Sequence, residues 1–471
     1  MIPDSPTAST IHLPAMFAKE TYIGRRARLA QTMRSGLLLF LGNETSAFNY
    51  ADNGYPFRQD STFLYLFGLD SEGLAAAIDA DAGRTVVFGD ELTMDDIIWT
   101  GPMPTLAERA AAVGVAETQP RARLAEYVEA ARRRGQAVHF VPPYRADRTL
   151  LLRRLLGPDA QPSLGLIYAL ADMRNHKDPE EVAQIEQAVA VSVRMHRAAI
   201  AAARPGATER EVQAAVMEVA LREGYFYSFP PICTTHGETL HNHGYVHTLR
   251  QGDLLLLDAG AEGLMHYAGD LTTTMPVGDA FTPRQRDVYD VLLHAYRTAC
   301  AQLRPGVAYR DCHVRAWAAI AEGLAQLGLM QGDPMEAAEA GAVALFMPHG
   351  LGHMMGLDVH DMESYGEVHV GYARGQHKDP RFGFASLRLG RELEPGFVHT
   401  VEPGIYFIPA LIDRWRAERR FAGFIRYDRL DAWRDFGGMR NEEDWLITPD
   451  GARRLGPAKP TTPEDFAACR G

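Results

Sequence analysis

The sequence predicts a mixed α/β (α+β) protein with a smaller N-terminal domain and a larger C-terminal domain. In the first third of the chain, short apolar runs that end near glycine alternate with amphipathic segments. Polar residues then cluster at Arg174–Pro179, which places the predicted domains at residues 1–177 and 178–471. Beyond that boundary, a helix, Arg-Pro-Gly and a second helix follow one another twice, around residues 204–206 and 304–306. We therefore expect two domains, the second with two similar halves.

The composition is that of a folded protein. The 471 residues are 46% hydrophobic and 23% charged, which is enough apolar material for a core and excludes disorder along the whole chain. The formal charge of −12 gives the protein no general attraction for nucleic acid or for an anionic membrane. No apolar run approaches the roughly 18 residues of a membrane-spanning helix.

Compartment is inferred from the start of the chain and from the cysteines. No basic region followed by an apolar region opens the sequence, so we expect no export signal. The four cysteines include no CxxC pair, which argues against a zinc ribbon or a thioredoxin-type site. Free thiols suit a reducing compartment. We expect a cytoplasmic protein whose metal ligands, if it binds metal, are His, Asp and Glu.

The elements of the first domain follow from local patterns. Leu37–Leu41 and Thr85–Phe88 are apolar runs of strand length that end close to glycine. Ala107–Val113 and Leu124–Gly135 have helical composition, and the second is rich in Ala and Arg. A mixed α/β domain is therefore expected for this region.

The second domain is predicted to begin with a long helix. Asp178 is an N-cap residue, Pro179 suits the first helical position, and two glutamates follow in the first turn. Four apolar residues then recur on one face: Val182, Ile185, Val189 and Val193. After Arg-Pro-Gly, Thr208 and Glu211 have the spacing of a capping box and predict the start of a second helix.

The same order of elements recurs further along the chain. A helix from about residue 282 to 303 ends at Arg-Pro-Gly, and another runs from Tyr309 to about residue 327. One interpretation is an internal duplication whose two halves face one site. The alternative is that Arg-Pro-Gly merely ends two amphipathic helices.

Two aspartates lie at strand ends close together in the sequence. Asp258 ends the run LLLLD, and Asp270 precedes LTTT, another strand-like run. A hairpin between these runs would bring both carboxylates together, and they would repel unless cations neutralise them. The alternative is that each aspartate only caps a turn.

Three histidines lie in the glycine-rich segment 347–361. They are His349, His353 and His360. The interleaved glycines disfavour a helix, because each costs about 1 kcal/mol there relative to Ala. The segment is therefore predicted to be a loop or strand whose backbone approaches another part of the molecule closely. Three histidines in such a segment indicate a site.

Two further acids complete a set of candidate metal ligands. Glu402 follows an apolar stretch, and Glu442 precedes the strand-like run 445–447, although the acidic cluster around Glu442 could instead be a solvated turn. Together with Asp258, Asp270 and His353, these residues offer mainly oxygen ligands, which favour Mn²⁺ while admitting Co²⁺, Zn²⁺, Fe²⁺ or Mg²⁺. Four carboxylates carry more negative charge than one divalent ion can neutralise, whereas two divalent ions neutralise all four. Two such ions can polarise a carbonyl and activate water.

The motifs in their order resemble a known family. DAG…AGD, HGLGHMMGLDVHD, TVEPGIYF and GGMRNEED look like the "pita-bread" metallopeptidases, which include methionine aminopeptidase, aminopeptidase P and prolidase. Residues 56–70, PFRQDSTFLYLFGLD, are similar to the N-terminal domain of aminopeptidase P and prolidase. The nearest resemblance is to eukaryotic prolidase. It implies a C-terminal pita-bread domain with pseudo-duplicated halves behind a mixed α/β domain.

The resemblance also implies how the metals are held. Asp258 would bind the first ion, Asp270 and Glu442 would bridge both, and His353 with Glu402 would complete the second. Glu402 would in addition carry a proton to the leaving proline nitrogen.

Further roles are implied around the metals. His241 would lie beside the scissile bond, His360 would contact the substrate carbonyl, and His349 would line the proline pocket. Arg440 would not bind metal itself but would hold the metal ligands in place. Asn441 stands where the family commonly has Ile.

Two residues bear on specificity and assembly. Arg388 matches the arginine that reads the C-terminal carboxylate of a dipeptide in prolidase. Trp99 aligns with a tryptophan that reaches the neighbouring subunit's site in prolidase dimers, so a homodimer is expected.

The expected function is therefore hydrolysis of the Xaa–Pro bond of dipeptides. The expected partner is a small peptide with proline at the second position. The first alternative is an aminopeptidase P that acts on longer Xaa-Pro peptides. The second is a pita-bread protein that binds peptides without catalysis, which loss of ligands would favour. Here all five ligand positions carry competent side chains.

Overall fold

The chain forms two compact units, residues 1–170 and 171–471, in a computed structural model that describes residues 16–470. Residues 1–15, in which no export signal is expected, lie outside the described residues. Within residues 16–470, no helix combines the length and apolar composition needed to cross a membrane.

A mixed five-stranded sheet organises the N-terminal unit. Its spatial order is β4-β3-β2-β1-β5, with antiparallel pairs between β1, β2 and β3 and parallel pairs at both edges. The strands are β1 (Leu37–Leu41), β2 (Ala75–Asp79), β3 (Arg84–Phe88), β4 (Glu117–Gln119) and β5 (Val138–His139).

Amphipathic helices pack their apolar faces against this sheet. Leu124, Val128 and Ala131 are spaced for one helical face, and all three pack into the core formed by the sheet. The helices are α1 (Lys19–Met33), α2 (Ser61–Phe67), α3 (Met94–Thr100), α4 (Leu106–Ala112), α5 (Leu124–Arg133) and α6 (Ala146–Leu156), and α7 (Leu164–Asn175) runs across the boundary at residue 170. Both predicted strands and both predicted helices of this region are present.

Short strands form several small sheets in the C-terminal unit. One has the order β10-β8-β7, another has the order β11-β14-β15, and two pairs are β12-β13 and β6-β9. The strands are β6 (Phe226–Tyr227), β7 (Ile232–Thr234), β8 (Leu254–Asp258), β9 (Ala261–Glu262), β10 (Thr272–Pro276), β11 (Val398–Val401), β12 (Gly404–Tyr406), β13 (Gly438–Arg440), β14 (Glu443–Thr448) and β15 (Gly451–Arg454).

The longest helices of this unit are those that the Arg-Pro-Gly pattern predicts. Capping boxes start the helices at Asp178, Thr208 and Thr282. The helices are α8 (Pro179–Ala202), α9 (Glu209–Arg222), α10 (Pro283–Cys300), α11 (Tyr309–Gln326), α12 (Pro334–Ala340), α13 (Glu367–Val370), α14 (Pro409–Ala417), α15 (Tyr427–Leu430) and α16 (Pro463–Arg470).

The two Arg-Pro-Gly turns make matching backbone contacts. Gly206 N donates to Leu249 O at 2.8 Å, and Gly306 N donates to Leu393 O at 2.9 Å. In each copy an isolated bridge then forms two residues after the glycine, Thr208 with Thr248 and Ala308 with Glu392. Each bridge partner lies six residues before the start of a strand, Thr248 before β8 and Glu392 before β11. This correspondence supports two similar halves over the alternative that the tripeptide only ends helices.

Strand pairing links the two halves at Thr272. Thr272 of β10 pairs with Asp258 of β8, and Thr272 also forms an isolated bridge with Glu442, immediately before β14. Glu442 N donates to Thr272 O at 3.1 Å. Three segments that carry predicted ligands therefore meet at Thr272.

Candidate metal centre

The hairpin predicted between the two aspartates is present. Asp258 is the last residue of β8, and Asp270 lies two residues before β10. Because Thr272 pairs with Asp258, the turn brings Asp270 back beside the end of β8. Asp270 is 4% exposed, so its carboxylate is withdrawn from bulk water.

The two glutamates come from the second half. Glu402 follows the last residue of β11, and Glu442 immediately precedes β14, which pairs with β11. The alternative of a solvated turn around Glu442 is wrong, because Glu442 is 2% exposed and Asp444, which lies inside β14, is fully buried. Asp444 Oδ2 accepts a hydrogen bond from Asp270 N at 3.0 Å, so this acid supports the hairpin turn.

The histidine-rich segment is a loop held tightly against β11. His353 N donates to Thr400 Oγ1 at 3.2 Å, and Thr400 N donates to His353 O at 3.0 Å. A Cβ on Gly352 would lie 2.2 Å from Thr400 O, so no larger residue fits there without movement. The predicted close backbone approach is thereby explained.

Hydrogen bonding orients the His353 ring. Its Nδ1 lies 3.1 Å from Met354 O, a carbonyl that can only accept, so Nδ1 carries the proton. Nε2 is left with a lone pair and lies 3.4 Å from Asp270 Oδ2. Burial lowers the pKa of His353 to about 4, which keeps the ring neutral and able to bind a metal near neutral pH.

The predicted ligands converge on one cavity. Asp270, His353 and Glu442 offer ligand atoms within 4.8 Å of one another. Glu402 Oε1 lies 3.9 Å from His353 Nε2. Asp258 stands outside the tight group of three, and its Oδ2 accepts a hydrogen bond from Arg440. All five side chains line a cavity of about 520 Å³.

The carboxylates of this cavity lack sufficient protein partners for their charge. Asp258 Oδ1 and Asp270 Oδ1 are buried and have no hydrogen bond among the described residues. Burial, followed by the charge of Asp258, raises the pKa of Asp270 well above its usual range. Burial raises the pKa of Glu402 to about 8, and burial with Asp270 nearby raises that of Glu442 well above normal. Oxygen donors of this kind, with one imidazole, fit a divalent cation.

Arg440 is the cation that the chain itself supplies to this cluster. Its Nη2 donates to Asp258 Oδ2 at 2.6 Å, and its Nη1 donates to Tyr406 OH at 2.8 Å. Its Nε donates to Thr272 Oγ1 at 3.1 Å, and that hydroxyl donates to Glu442 Oε2 at 2.7 Å. One buried guanidinium therefore fixes two of the predicted ligands, directly and through a threonine.

Comparison with known proteins identifies the family. The sequence profile of metallopeptidase family M24 matches residues 183–449, and that of the aminopeptidase P N-terminal domain matches residues 22–139. The chain belongs to metallopeptidase family M24. The first match covers the five converging side chains, and the second covers the mixed sheet of the N-terminal unit.

Relatives of this M24 protein bear two related names. A probable Xaa-Pro aminopeptidase of Uncinocarpus reesii is 31% identical over 92% of this chain and 88% of its own length. The Xaa-Pro dipeptidase of Homo sapiens is 30% identical over 98% of this chain and 94% of its own length. Among solved structures, proline aminopeptidase P II from Yersinia pestis superposes with a TM-score of 0.79 at 27% identity, over 96% of this chain and 99% of that one. Zinc-substituted E. coli aminopeptidase P in complex with product has a TM-score of 0.78 at 26% identity, over 97% of this chain and 99% of that one.

The three other predicted histidines of the M24 domain line the same cavity. His349 Nδ1 lies 2.8 Å from Gly350 O and therefore carries the proton, so its Nε2 accepts from Tyr406 OH at 2.9 Å. His360 Nδ1 lies 2.6 Å from Glu363 Oε2, and its ring packs edge-on against His353. Burial lowers the pKa values of both, that of His349 to about 3.

His241 lies on a loop whose two ends both donate hydrogen bonds to one buried acid. Glu209, the first residue of α9, is 0% exposed. It accepts from Thr235 N at 2.8 Å at one end of the loop, and from His247 N at 3.1 Å at the other. The sequence pattern at Thr208 and Glu211 predicts this helix start, but nothing in it indicates that Glu209 anchors the loop.

The two remaining predictions concern specificity and assembly. Arg388 lines the cavity, and its Nε donates to Glu367 Oε1 at 3.1 Å. Trp99, on α3 of the N-terminal unit, is 85% exposed. The structure therefore places Arg388 in the same cavity as the predicted ligands, and it leaves the ring of Trp99 open to solvent.

Other supporting residues have no signal in the linear sequence. Lys459 is 3% exposed, and its Nζ donates to Thr272 O at 2.6 Å and to Asn441 Oδ1 at 2.8 Å. Asn441, the departure from the family pattern, is thus the partner of a buried lysine from the C-terminal segment. Only the folded chain brings positions 272, 441 and 459 together.

Proposed function

We propose that this chain is a divalent-metal-dependent Xaa-Pro dipeptidase, which hydrolyses the bond between the first residue and a C-terminal proline. The observation that carries the proposal is the position of Arg388. Its guanidinium lines the same cavity as Asp270, His353 and Glu442. The predicted metal ligands and a guanidinium fork that can bind a carboxylate therefore face one space.

The five converging side chains would hold the metal. Two Mn²⁺ ions per chain are proposed, because four carboxylates balance the charge of two divalent ions; Co²⁺, Zn²⁺, Fe²⁺ and Mg²⁺ are the alternatives. Asp258, Asp270, His353, Glu402 and Glu442 would be the ligands. When bound, such ions polarise the scissile carbonyl and make water acidic enough to attack it near neutral pH.

The side chains of the cavity would handle the proton and the substrate carbonyl. Glu402 would take a proton from the attacking water and deliver it to the proline nitrogen, and burial that raises its pKa to about 8 favours such a role. His360 and His241 would contact the substrate at the scissile bond. His349, held by Tyr406, would form one wall of the proline pocket.

Proline makes a dedicated site necessary. The nitrogen of an Xaa–Pro bond is a tertiary amide and has no N–H, so an enzyme that requires that donor cannot use it. A short peptide with proline at its second position is therefore the proposed substrate. Arg388 would bind the carboxylate of that proline with two parallel hydrogen bonds, which would favour dipeptides over longer chains.

The second candidate is an aminopeptidase P that removes the first residue from longer Xaa-Pro peptides. The similarity to proline aminopeptidase P II from Yersinia pestis favours it, with a TM-score of 0.79 over 96% of this chain. Binding without catalysis is a third candidate, but the presence of all five competent ligand side chains argues against it.

Assembly and location complete the proposal. We propose a homodimer in which Trp99, 85% exposed on the N-terminal unit, contacts the second subunit. The domains would span residues 1–177 and 178–471, and the protein would work in the cytoplasm.

The test is a paired hydrolysis assay. Metal-free protein is reloaded with Mn²⁺ and assayed separately with Ala-Pro and with Ala-Pro-Ala. The assay compares wild type with Arg388→Ala and Arg374→Ala. Arg374 is an exposed arginine of the same region that pairs with Asp172, which makes it a matched control. Wild type should cleave the dipeptide in preference, and Arg388→Ala should raise KM for Ala-Pro by about tenfold or more.

Two outcomes would overturn the dipeptidase assignment. Cleavage of Ala-Pro-Ala as well as or better than Ala-Pro would identify an aminopeptidase P. An unchanged KM for Ala-Pro in Arg388→Ala would remove Arg388 from its proposed role. The Arg374→Ala control should behave as wild type in both assays.

A further inference from the structure

A continuous series of ionisable side chains includes three that line the cavity: His360, Arg388 and Glu367. His360 Nδ1 lies 2.6 Å from Glu363 Oε2, and Glu363 Oε1 lies 3.6 Å from Arg388 Nη2. Arg388 Nε donates to Glu367 Oε1 at 3.1 Å, and Glu367 Oε2 accepts from Lys378 Nζ. The series starts at His360, whose ring packs against the predicted ligand His353, and ends at a lysine that no sequence motif singles out.

Glu367 is shared between two cations. One of its oxygens accepts from Arg388 and the other accepts from Lys378. Because the Nε of Arg388 is taken by Glu367, the two terminal nitrogens of the guanidinium form the fork available to a ligand. Glu363 approaches one of them at 3.6 Å, which is an ion-pair distance but too long for a hydrogen bond.

Lys378 lies outside the lining of the cavity. Arg388 and Glu367 line the cavity, whereas Lys378 is not among the lining residues in the described part of the chain, 16–470. Its side chain is 21% exposed and that of Glu367 is 27% exposed, so water screens their interaction only in part. An influence of Lys378 on a ligand in the cavity would therefore pass through Glu367.

The charges of the series balance only when Lys378 is included. Two carboxylates, Glu363 and Glu367, face two cations, Arg388 and Lys378, so the four groups are neutral together. Without Lys378 the group would carry a charge of −1 beside the fork of Arg388. A substrate carboxylate that entered would then compete with two protein carboxylates for one guanidinium.

We propose that Lys378 determines specificity by neutralising Glu367, which leaves the fork of Arg388 free to bind the terminal carboxylate of a dipeptide. This inference rests on the proposed dipeptidase function. Lys378 is a positioning and charge-balancing residue and does not touch the substrate. Its effect is confined to substrates that carry a carboxylate on the proline.

The experiment compares variants on two substrates that differ only in that charge. The variants are Lys378→Met, Lys378→Arg and the double variant Glu367→Gln with Lys378→Met, and the substrates are Ala-Pro and its C-terminal amide. Lys378→Met should raise KM for Ala-Pro about fivefold, change kcat by less than about twofold, and leave KM for the amide unaltered. Lys378→Arg should keep the wild-type KM.

The double variant separates charge from structure. It restores neutrality because an acid and a base are removed together, so KM for Ala-Pro should return towards the wild-type value. If Lys378 only stabilised the conformation of its loop, the KM values for Ala-Pro and for the amide would rise together. The double variant would then have a higher KM than Lys378→Met. That result, or an unchanged KM in Lys378→Met, would overturn the proposal.

Controls distinguish this failure from failure of the proposed function. Lys19→Met changes an exposed lysine of the N-terminal unit and should leave both KM values alone. If wild type itself handled the amide or a tripeptide as well as Ala-Pro, the dipeptidase function would be wrong whatever Lys378 does. If wild type preferred Ala-Pro and Lys378→Met had the same KM for Ala-Pro as wild type, only the role proposed for Lys378 would be refuted.

Discussion

The guanidinium of Arg440 donates a hydrogen bond to Asp258 at 2.6 Å, inside the cavity that collects the predicted metal ligands. Asp258 Oδ1 has no hydrogen bond among the described residues, so Arg440 holds one oxygen of this carboxylate and leaves the other to a further cation. Arg440 itself is 4% exposed. Its role is therefore to hold a ligand in place.

Replacing Arg440 should weaken metal binding. In Arg440→Met, Asp258 loses its fixed partner and Thr272 loses the donor that orients its hydroxyl towards Glu442. Mn²⁺ affinity, measured by competition with a chelator, should fall about 10- to 100-fold. The control is Arg453→Met, which removes an exposed arginine paired with Glu186. Equal affinities in the two variants would reject the assignment.

Neutralising either predicted bridging ligand should remove the metal. Asp270→Asn and Glu442→Gln keep the size of each side chain but take one negative charge from the group that they form with His353. Both should lose metal on dialysis and lose Ala-Pro hydrolysis, as measured by elemental analysis beside the assay. Asp435→Asn, at an exposed acid, is the control. Normal turnover with normal metal content would refute the bridging assignment.

Much of this centre was predictable because strand ends and tight turns have strong local signals. LLLLD predicts a buried strand that ends at Asp258, and the interleaved glycines predict the close approach that Gly352 makes to Thr400. The hairpin between Asp258 and Asp270 also follows from two neighbouring strands. In each case the residues that determine the structure lie close together in the sequence.

The supporting layer was not predictable, since it depends on pairing between distant segments. The bridge between Thr272 and Glu442 joins positions 170 residues apart, and Lys459, from further along the chain, donates to Thr272 O and to Asn441 Oδ1. A threonine in a strand or a lysine near the end of a chain carries no local mark of such a role.

Loosening the loop that carries His241 should be visible without any activity assay. Glu209→Ala removes the acceptor for backbone N–H groups at both ends of residues 235–247, so amide hydrogen exchange in that segment should rise. The kcat/KM for Ala-Pro should fall as well, because His241 loses its fixed position. Glu218→Ala, at an exposed acid of the same helix, is the control. Unchanged exchange within 235–247 would show that other contacts hold the loop.

Stability should depend on pH through a histidine outside the metal centre. His313 on α11 is fully buried between Trp317 and Phe384, neither ring nitrogen has a partner among the described residues, and burial lowers its pKa to about 3. Between pH 6.5 and 3 the unfolded chain therefore holds a proton at His313 that the folded chain does not. The free energy of unfolding should fall with decreasing pH in that range, by about 1.4 kcal/mol per pH unit from this group.

The contribution can be isolated by substitution. In His313→Phe, urea unfolding between pH 6 and 4 should show a slope that is smaller by about one proton. His294→Phe, at an exposed histidine on α10, should retain the wild-type slope. Identical slopes in wild type and His313→Phe would mean that His313 is not a buried neutral group.

The central claim is that five converging side chains form a divalent-metal centre that hydrolyses Xaa–Pro bonds. The most direct test is a stepwise reloading of metal-free protein with Mn²⁺, with bound metal and Ala-Pro hydrolysis measured at each step. We expect no hydrolysis without metal and a rise that follows occupancy towards two ions per chain. Full Ala-Pro turnover in protein that holds well below one ion per chain would contradict the account.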